Sequence, residues 1–300
     1  MKSVTKFATV AIAAALALSG CASGGAATGG ASEGGDSASG EARFPVAENV
    51  QIEGSPVFDR ATEAGGIVIG IKEDQPGFGM RDSMTGERSG FDIDLSTWIA
   101  AELGFAEDDI EFVLVPSQSR EQSLQNGDTD LIIGMYTISD KRKELVDFAG
   151  PYMADGQSIL VRADNTEIQG EADLAGHKVC SITGSTPIQY IKEHHPDAQT
   201  VEFDNMAQCV EALTSGQVDA VSTDQALLIG YTTLVPGELK VVGERFTEEG
   251  FGIGIAKGND SLRHYINSLL GENTDVLEGI FEANLGASGS TFEQPQINDY

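Results

Sequence analysis

Two stretches of this sequence share one form, L-x-x-G-x-x-D followed by apolar residues: Leu124-Gln-Asn-Gly127-Asp-Thr-Asp130-Leu-Ile132 and Leu213-Thr-Ser-Gly216-Gln-Val-Asp219-Ala-Val221. They begin 89 residues apart. In each stretch the leucine is typical of a last helical turn, the glycine of a helix C-cap, and the apolar residues of a strand. One such corner is common, but two of them in a chain of 300 residues favour two similar α/β lobes.

Strand and helix patterns alternate around these stretches. Short apolar runs predict buried strands at residues 67–71, 131–132 and 178–182, and residues 110–115 alternate as a further strand does. Residues 94–103 predict a helix, because apolar residues recur there every four positions. This order indicates an α/β fold with mostly parallel sheets.

The chain is strongly acidic, with 47 Asp and Glu against 18 Lys and Arg and a formal net charge of −29. This balance argues against a nucleic-acid-binding protein and against attachment to anionic lipid through basic residues. A hydrophobic content of 40% is enough for packed cores. We interpret the acidity as a solvated surface.

The N-terminus predicts export rather than part of the fold. Lys2 and Lys6 precede an apolar stretch at residues 7–18, which is too short to span a bilayer. The stretch runs into Leu18-Ser-Gly-Cys21, which resembles the cleavage box of bacterial lipoproteins. That resemblance implies a signal peptide at residues 1–20 and a lipid anchor on Cys21, with an ordinary signal peptide as the alternative.

Residues 21–44 predict a flexible tether, because residues 22–42 contain 7 Gly, 6 Ala and 4 Ser without apolar periodicity. We therefore expect a folded part tethered at the outer face of the cell membrane. Outside the cytoplasm, Cys180 and Cys209 favour a disulfide over free thiols or a metal pair. The four histidines show no metal-ligand spacing with the cysteines, so no metal and no cofactor is expected.

Polar residues follow several predicted strands, at the edge where open α/β sheets bind ligands. Ser139 is a helix cap that places Arg142 near this edge. Thr186 is expected as the N-cap of a helix that begins at Pro187, and the free N–H groups there favour an anion. Asp224 ends a further strand. A buried arginine and a buried aspartate complement the two charges of an α-amino acid.

Each of these residues has a structural alternative. Arg142 is also compatible with a surface helix, and Asp224 with a cap of the following helix. Gly184-Ser185-Thr186 is compatible with an ordinary helix start.

Over about residues 55–281 the sequence resembles the family 3 extracellular solute-binding proteins, the polar amino acid receptors of ABC importers. The matching segments are Gly90-Phe-Asp-Ile-Asp-Leu95, Thr137-Ile-Ser-Asp-Lys-Arg142, Val146-Asp-Phe-Ala-Gly-Pro-Tyr152, Gly184-Ser-Thr186, Val218-Asp-Ala-Val-Ser-Thr-Asp224 and Phe251-Gly-Ile-Gly-Ile-Ala-Lys-Gly258. Ser139 and Ser185 stand where the family pattern has threonine. Glutamate-binding lipoproteins of actinobacteria resemble it most, since they also combine Asp74-Gln-Pro-Gly77 with a cysteine pair in the second lobe.

The resemblance implies a periplasmic-binding-protein-like type II fold, in which two α/β lobes joined by a two-strand hinge enclose the ligand. Lobe 1 would comprise residues 45–152 and 252–300, and residues 153–251 would form the hinge and lobe 2. The crossovers would lie near residues 153–156 and 248–251.

The resemblance also implies roles for the site residues. Arg142, Ser185 and Thr186 would hold the α-carboxylate, and Asp224 with Thr137 the α-ammonium. Gly184, in the same loop as Ser185, is also expected to bind the ligand. Lys72 and Arg81 would recognise a side-chain carboxylate, unless they pair with Glu73 or Asp74. Gln75 and Ser117 stand near positions where glutamine-binding relatives carry aromatic residues, which favours glutamate over glutamine and leaves aspartate open.

The expected function is that of a monomeric, lipid-anchored receptor that binds L-glutamate or a close polar amino acid and delivers it to an ABC permease. A receptor for glutamine or aspartate is the first alternative. A dehydratase-like enzyme and a ligand sensor on the same fold are alternatives from other classes, but the sequence offers no acid–base group besides Asp224 for an enzyme.

Overall fold

The computed structural model describes residues 43–288, 292 and 294–297. The predicted signal peptide, the predicted lipid site at Cys21 and nearly all of the predicted tether lie outside the described residues. Within the described residues, no helix has the length and apolar character needed to cross a membrane.

The strands of the described part are, in chain order, β1 (Ile67–Ile71), β2 (Asp74–Gln75), β3 (Gly79–Arg81), β4 (Arg88–Ser89), β5 (Ile110–Leu114), β6 (Leu131–Ile132), β7 (Val146–Asp155), β8 (Gln157–Arg162), β9 (Lys178–Ile182), β10 (Gln199–Phe203), β11 (Ala220–Asp224), β12 (Leu239–Val242) and β13 (Glu249–Ala256). The helices are α1 (Pro56–Ala64), α2 (Phe91–Glu102), α3 (Arg120–Asn126), α4 (Asp140–Lys143), α5 (Thr186–His194), α6 (Met206–Thr214), α7 (Gln225–Leu234), α8 (Asp260–Glu272) and α9 (Thr274–Leu285).

Two five-stranded sheets form the centres of two lobes. The sheet of lobe 1 has the order β5-β1-β6-β13-β7, and that of lobe 2 the order β10-β9-β11-β8-β12. In each sheet three neighbouring strands are parallel, and the remaining two pairings are antiparallel. The expectation of mostly parallel sheets is therefore corrected to mixed sheets, because β13 and β8 each run against both of their neighbours. The expectation of two similar lobes is confirmed.

The two repeated stretches form the corners that the sequence predicts. Gly127 ends α3 and Gly216 follows α6, and both adopt the left-handed conformation, with φ of 75° and 74°. The repeated aspartates have the same structural role in each lobe. Asp130 accepts a hydrogen bond from the Val68 N–H at 2.8 Å, and Asp219 accepts one from the Lys178 N–H at 2.8 Å. Each carboxylate thus fixes the start of the neighbouring parallel strand.

Helix α2 begins three residues earlier than residue 94, where the sequence predicts its start. Gly90 precedes it with a φ of 122°, a conformation that favours glycine. All side chains of α2 from Phe91 to Ala101 are buried, so the helix lies inside lobe 1 rather than on its surface.

Strands β7 and β13 run side by side, with Glu249 opposite Asp155 at one end and Ala256 opposite Val146 at the other. Residue 156 separates β7 of the first sheet from β8 of the second. The predicted crossovers near residues 153–156 and 248–251 coincide with this end of the β7–β13 pair. The exact lobe boundaries stay a prediction.

Cys180 on β9 and Cys209 on α6 form a disulfide, as the sequence predicts, and both residues are fully buried. The disulfide ties α6 to β9, an inner strand of the lobe 2 sheet. In the chain-entropy description a loop of this length stabilises the fold by about 3–4 kcal/mol.

Candidate functional site

A buried cavity lies between the lobes, and each lobe contributes half of its lining. The lining residues of lobe 1 are Gln75, Ser117, Arg120, Met135, Thr137 and Arg142. Those of lobe 2 are Ile182, Ser185, Thr186, Pro187, Thr223 and Asp224. These residues lie in or after strands β1, β5, β6, β9 and β11, at the carboxyl ends where open α/β sheets bind ligands.

The cavity measures about 20 Å³, which is room for about one water molecule. The lobes are in direct contact around it. The Thr137 hydroxyl of lobe 1 lies 3.0 Å from the Thr186 hydroxyl of lobe 2, and the Gln118 amide donates to Asp204 across the lobes at 3.3 Å. A ligand larger than water therefore enters only when the lobes move apart.

Arg142 is held by hydrogen-bond acceptors at all three nitrogens of its guanidinium. It donates to Glu121 Oε1 at 3.1 Å, to the Thr137 carbonyl at 2.8 Å and, across the lobes, to the Gly184 carbonyl at 3.3 Å. Ser139 is the N-cap of α4, the helix that carries Arg142, and its hydroxyl accepts from the Arg142 N–H at 3.3 Å, as the sequence predicts. Its Cζ lies 4.9 Å from the centroid of the Tyr136 ring.

Arg120 is the second buried arginine of the cavity. It donates to the Gly134 carbonyl at 3.2 Å and to the Ser117 hydroxyl, and its Cζ lies 4.7 Å from the centroid of the same Tyr136 ring. Its Nε is buried and has no hydrogen-bond partner among the described residues. Burial and the nearby charge of Arg142 lower the pKa of Arg120 to about 10.

The opposite charge of the cavity comes from Asp224 at the end of β11. This residue is 5% exposed, and its Oδ1 has no hydrogen-bond partner in the described part of the chain. Burial, and then the neighbouring charges of Glu249 and Asp155, raise the pKa of Asp224 well above its usual value. The alternative role as a cap of α7 is wrong, since its side chain makes no capping bond, and Asp155 accepts from the Ala226 N–H instead at 2.7 Å.

Glu249 lies behind this acidic end and connects both lobes. Its Oε2 accepts hydrogen bonds from the Thr137 hydroxyl at 2.7 Å and from the Thr186 hydroxyl at 2.7 Å. The two threonines belong to different lobes, so this carboxylate fixes the cavity in its closed geometry. No local sequence pattern marks Glu249, because its partners lie 112 and 63 residues away along the chain.

The start of α5 differs by one residue from the expectation. Ser185, not Thr186, is the N-cap, and its hydroxyl accepts from the Ile188 N–H at 3.4 Å. Pro187 is consequently the second helical residue rather than the first. Two adjacent hydroxyls compete for the cap, and the tertiary hydrogen bond from Thr186 to Glu249 decides between them.

The structure brings together six of the predicted ligand residues at the cavity: Gln75, Thr137, Arg142, Ser185, Thr186 and Asp224. Gly184 adjoins them, with a φ of 76° and its Cα so close to Gln118 that an added Cβ would lie 2.7 Å from the Gln118 Cα. This glycine therefore permits the close approach of the lobes.

Lys72 and Arg81 do not line the cavity. Lys72 is buried at the end of β1, where burial and then the charge of Arg120 lower its pKa well below the usual value. The side chain of Arg81 is 51% exposed and lies 3.7 Å from Glu73, which is the ion pair considered as its alternative. Arg120, not Arg81, supplies the second cation of the cavity.

The sequence did offer one signal for Arg120. It follows the predicted strand at residues 110–115, so it belongs to the edge from which the other site residues were chosen. It also stands among only 18 Lys and Arg in the chain. Within the described residues, no group of three His, Cys, Asp or Glu side chains is arranged to hold a metal ion.

Comparisons with known proteins agree with this geometry. The model of the bacterial extracellular solute-binding proteins, family 3, matches residues 67–277. The chain is 41% identical over 228 residues to a glutamate-binding protein, GluB, of Corynebacterium efficiens, covering 73% of this chain and 77% of the relative. It is 40% identical over 205 residues to the ABC transporter glutamine-binding protein GlnH of Bacillus subtilis, covering 68% of this chain and 74% of the relative.

Among solved structures, an ancestral arginine-binding protein bound to glutamine superimposes with a TM-score of 0.70 at 37% identity, covering 74% of this chain and 98% of that one. The family match spans more than half of the sequence and contains both halves of the cavity. This chain therefore belongs to the family 3 bacterial extracellular solute-binding proteins.

Proposed function

We propose that this protein is the receptor of an ABC importer and binds L-glutamate, or a closely related polar amino acid, between its two lobes. The charge pattern of the buried cavity carries the proposal. Arg120, Arg142 and Asp224 all line it, and one oxygen of Asp224 has no hydrogen-bond partner among the described residues. Unpaired buried charges are costly, so a ligand that brings two carboxylates and one ammonium is strongly favoured there.

Arg142, Ser185 and Thr186 would hold the α-carboxylate. This assignment rests on the hydrogen bond that joins Arg142 to the Gly184 carbonyl, next to Ser185, and on the start of α5, whose free N–H groups favour an anion. Asp224 would hold the α-ammonium with help from the Thr137 hydroxyl, because a charged ammonium offsets the burial of the carboxylate.

Arg120 and Ser117 would bind the side-chain carboxylate. Their side chains are hydrogen-bonded to each other, which orients the guanidinium before the ligand arrives. Lys72 is close enough to Arg120 for the charge of that arginine, after burial, to lower the pKa of Lys72, but Lys72 does not line the cavity. This arrangement replaces the expected pair of Lys72 and Arg81.

Glutamine is the second candidate ligand. It is supported by the relative GlnH, whose name describes glutamine binding, and by the neutral polar side chains of Gln75 and Ser117 at the cavity. The buried charge of Arg120 favours glutamate over it, because a carboxylate neutralises a buried cation and an amide does not.

We further propose that the closed form is presented to the transmembrane subunits of an importer at the outside of the cell, and that Cys21 carries the lipid anchor. The family is one of extracellular solute-binding proteins. The cleavage-box pattern before Cys21 supports the anchor. No cofactor and no chemical step is needed for this function, since the ligand leaves unchanged.

Calorimetric titration of the purified protein with L-glutamate, L-glutamine, L-aspartate and L-asparagine tests the proposal. We expect glutamate to bind most tightly, and mass spectrometry to recover it unaltered. Failure to bind all four amino acids contradicts the receptor function. Tighter binding of glutamine contradicts the role of Arg120, and consumption of any ligand indicates an enzyme.

A further inference from the structure

Three consecutive residues of lobe 1, Asp74, Gln75 and Pro76, form a bridge to lobe 2. The middle residue lines the cavity, while its two neighbours reach helices α6 and α7. We propose that Asp74 is the latch that holds the lobes closed, and that its contact with α6 sets the rate at which ligand is released. The proposal rests on the ligand-binding function stated above.

The Asp74 carboxylate lies at the N-terminus of α6. Its Oδ2 accepts hydrogen bonds from the N–H groups of Met206 at 2.7 Å and of Ala207 at 3.1 Å. These are first-turn N–H groups, which have no partner within their own helix. Asn205, the N-cap residue, accepts from Gln208 at 3.0 Å instead. Lobe 1 therefore completes the capping of a lobe 2 helix.

Electrostatic attraction stabilises this contact in addition to its two hydrogen bonds. A carboxylate at a helix N-terminus interacts with the positive end of the helix dipole. The N–H groups belong to lobe 2 and the carboxylate to lobe 1. The contact therefore exists only while the lobes are together, and water replaces it when they separate.

Helix α7 of lobe 2 also contacts the three-residue bridge of lobe 1. The Tyr231 hydroxyl donates to the backbone carbonyl of Asp74. Gly230 lies against Pro76 so closely that an added Cβ would be 2.7 Å from the Pro76 carbonyl oxygen. Burial, and then the charge of Asp74, raise the pKa of Tyr231, which keeps its hydroxyl protonated and able to donate.

The latch is connected to the cavity on both sides. On lobe 1, Asp74 is the immediate neighbour of Gln75, which lines the cavity. On lobe 2, Cys209 in α6 is bonded to Cys180 in β9, and β9 leads into Ser185 and Thr186. Since α6 and the predicted carboxylate loop are covalently tied to one strand, they move as one body. Release of Asp74 from α6 thus opens the lobe 2 wall of the cavity.

Stopped-flow kinetics with L-glutamate as the probe test the latch on Asp74→Asn, Asp74→Ala and Tyr231→Phe. We expect the dissociation rate of Asp74→Ala to rise about 2- to 30-fold, the range for a charge at a helix N-terminus. Asp74→Asn and Tyr231→Phe should raise it less. The association rate and the ratio of glutamate to glutamine affinity should stay within about twofold of the wild type, because the ligand contacts are intact.

Asp108→Asn is the matched control, since it removes one negative charge from an exposed position of lobe 1. An unchanged dissociation rate in Asp74→Ala, or an equal effect in the control, overturns the proposal. Small-angle X-ray scattering without ligand is a second test, which does not depend on glutamate binding. A larger radius of gyration for Asp74→Ala than for the wild type is expected, and identical radii contradict the latch. A wild type that binds no amino acid contradicts the proposed function, while the scattering result still decides the latch.

Discussion

Arg120 and Arg142 place their guanidinium carbons 4.7 Å and 4.9 Å from the centroid of the same ring, that of Tyr136. The ring attracts both cations. Burial, and then the repulsion from the charge of Arg142, lower the pKa of Arg120 to about 10. Arg142 donates from Nε to Glu121 at 3.1 Å, whereas the Nε of Arg120 has no hydrogen-bond partner among the described residues. The two guanidinium groups of the cavity therefore differ in their surroundings.

Truncating the two arginines should therefore have different effects. Arg142→Ala is expected to weaken the binding of all amino acids alike, because Arg142 would bind the α-carboxylate that they share. Arg120→Ala is expected to weaken glutamate binding by about 2–5 kcal/mol, since it removes one partner of a buried charge pair. Glutamine binding should weaken less. Calorimetric titration with both ligands measures the difference.

Arg81→Ala is the control for these variants, because it also removes a cation from lobe 1 but at a half-exposed position. It should leave both affinities unchanged. A change in ligand ranking for Arg81→Ala, with none for Arg120→Ala, would restore the expectation drawn from the sequence alone.

Asp224 should make ligand binding depend on pH. Burial and the charges of Glu249 and Asp155 raise its pKa, so below that raised pKa the unliganded protein holds a proton on Asp224, which is released when the ligand ammonium binds. Affinity should fall as pH is lowered through this raised pKa, by up to about tenfold per pH unit for one proton. Calorimetry in buffers of different ionisation enthalpy measures the proton released, and a pH-independent affinity contradicts the role of Asp224.

The same raised pKa has the opposite sign for stability. A carboxyl with a raised folded-state pKa stabilises the fold below its unfolded value of 3.8, and this contribution is lost as pH rises through the folded value. Asp224→Asn should therefore lose ligand binding and yet be more stable than the unliganded wild type above that pKa. Urea unfolding at several pH values, without ligand, checks the sign.

The parts of this site that the sequence predicts depend on neighbours in the chain. Ser139 and Arg142 belong to one helical turn, and Asp224 ends a strand that its own apolar residues define. Glu249 and Arg120 depend instead on packing between distant segments. Arg81 fails for a local reason: along β3 the burial falls from Gly79 to Arg81, so the hairpin carries the side chain to the surface. A strand pattern alone does not decide this.

Gly230→Ala should separate helix stability from lobe closure. Within a helix, alanine is more favourable than glycine by about 1 kcal/mol. Here the added Cβ would also lie 2.7 Å from the Pro76 carbonyl oxygen of lobe 1. The variant should keep or raise the unliganded melting temperature and weaken glutamate binding. Gly279→Ala in α9 is the matched control, because its Cβ meets no atom within 4 Å, and it should change stability only.

Removal of the disulfide should destabilise lobe 2. Cys180 and Cys209 are 29 positions apart, and a bridge of this span stabilises by about 3–4 kcal/mol through the unfolded chain. Cys180→Ala with Cys209→Ala should lower the free energy of unfolding by at least about that amount, since small cavities add to the loss. Denaturation with and without dithiothreitol provides the control. The reductant should lower the free energy of unfolding of the wild type and leave that of the double variant unchanged.

The association rate of glutamate should rise with ionic strength. The chain has a formal net charge of −29, and glutamate is itself an anion, so the two repel each other at long range. Raising the salt concentration from about 0.01 M to 0.15 M shortens the Debye length from about 30 Å to 8 Å and screens this repulsion. Arg120 and Arg142 are buried in the cavity, where salt screens them less. Stopped-flow measurement with glutamine, which has no net charge, is the control and should show little change. A glutamate rate that falls with salt would show that the two arginines attract the ligand more strongly than the acidic surface repels it.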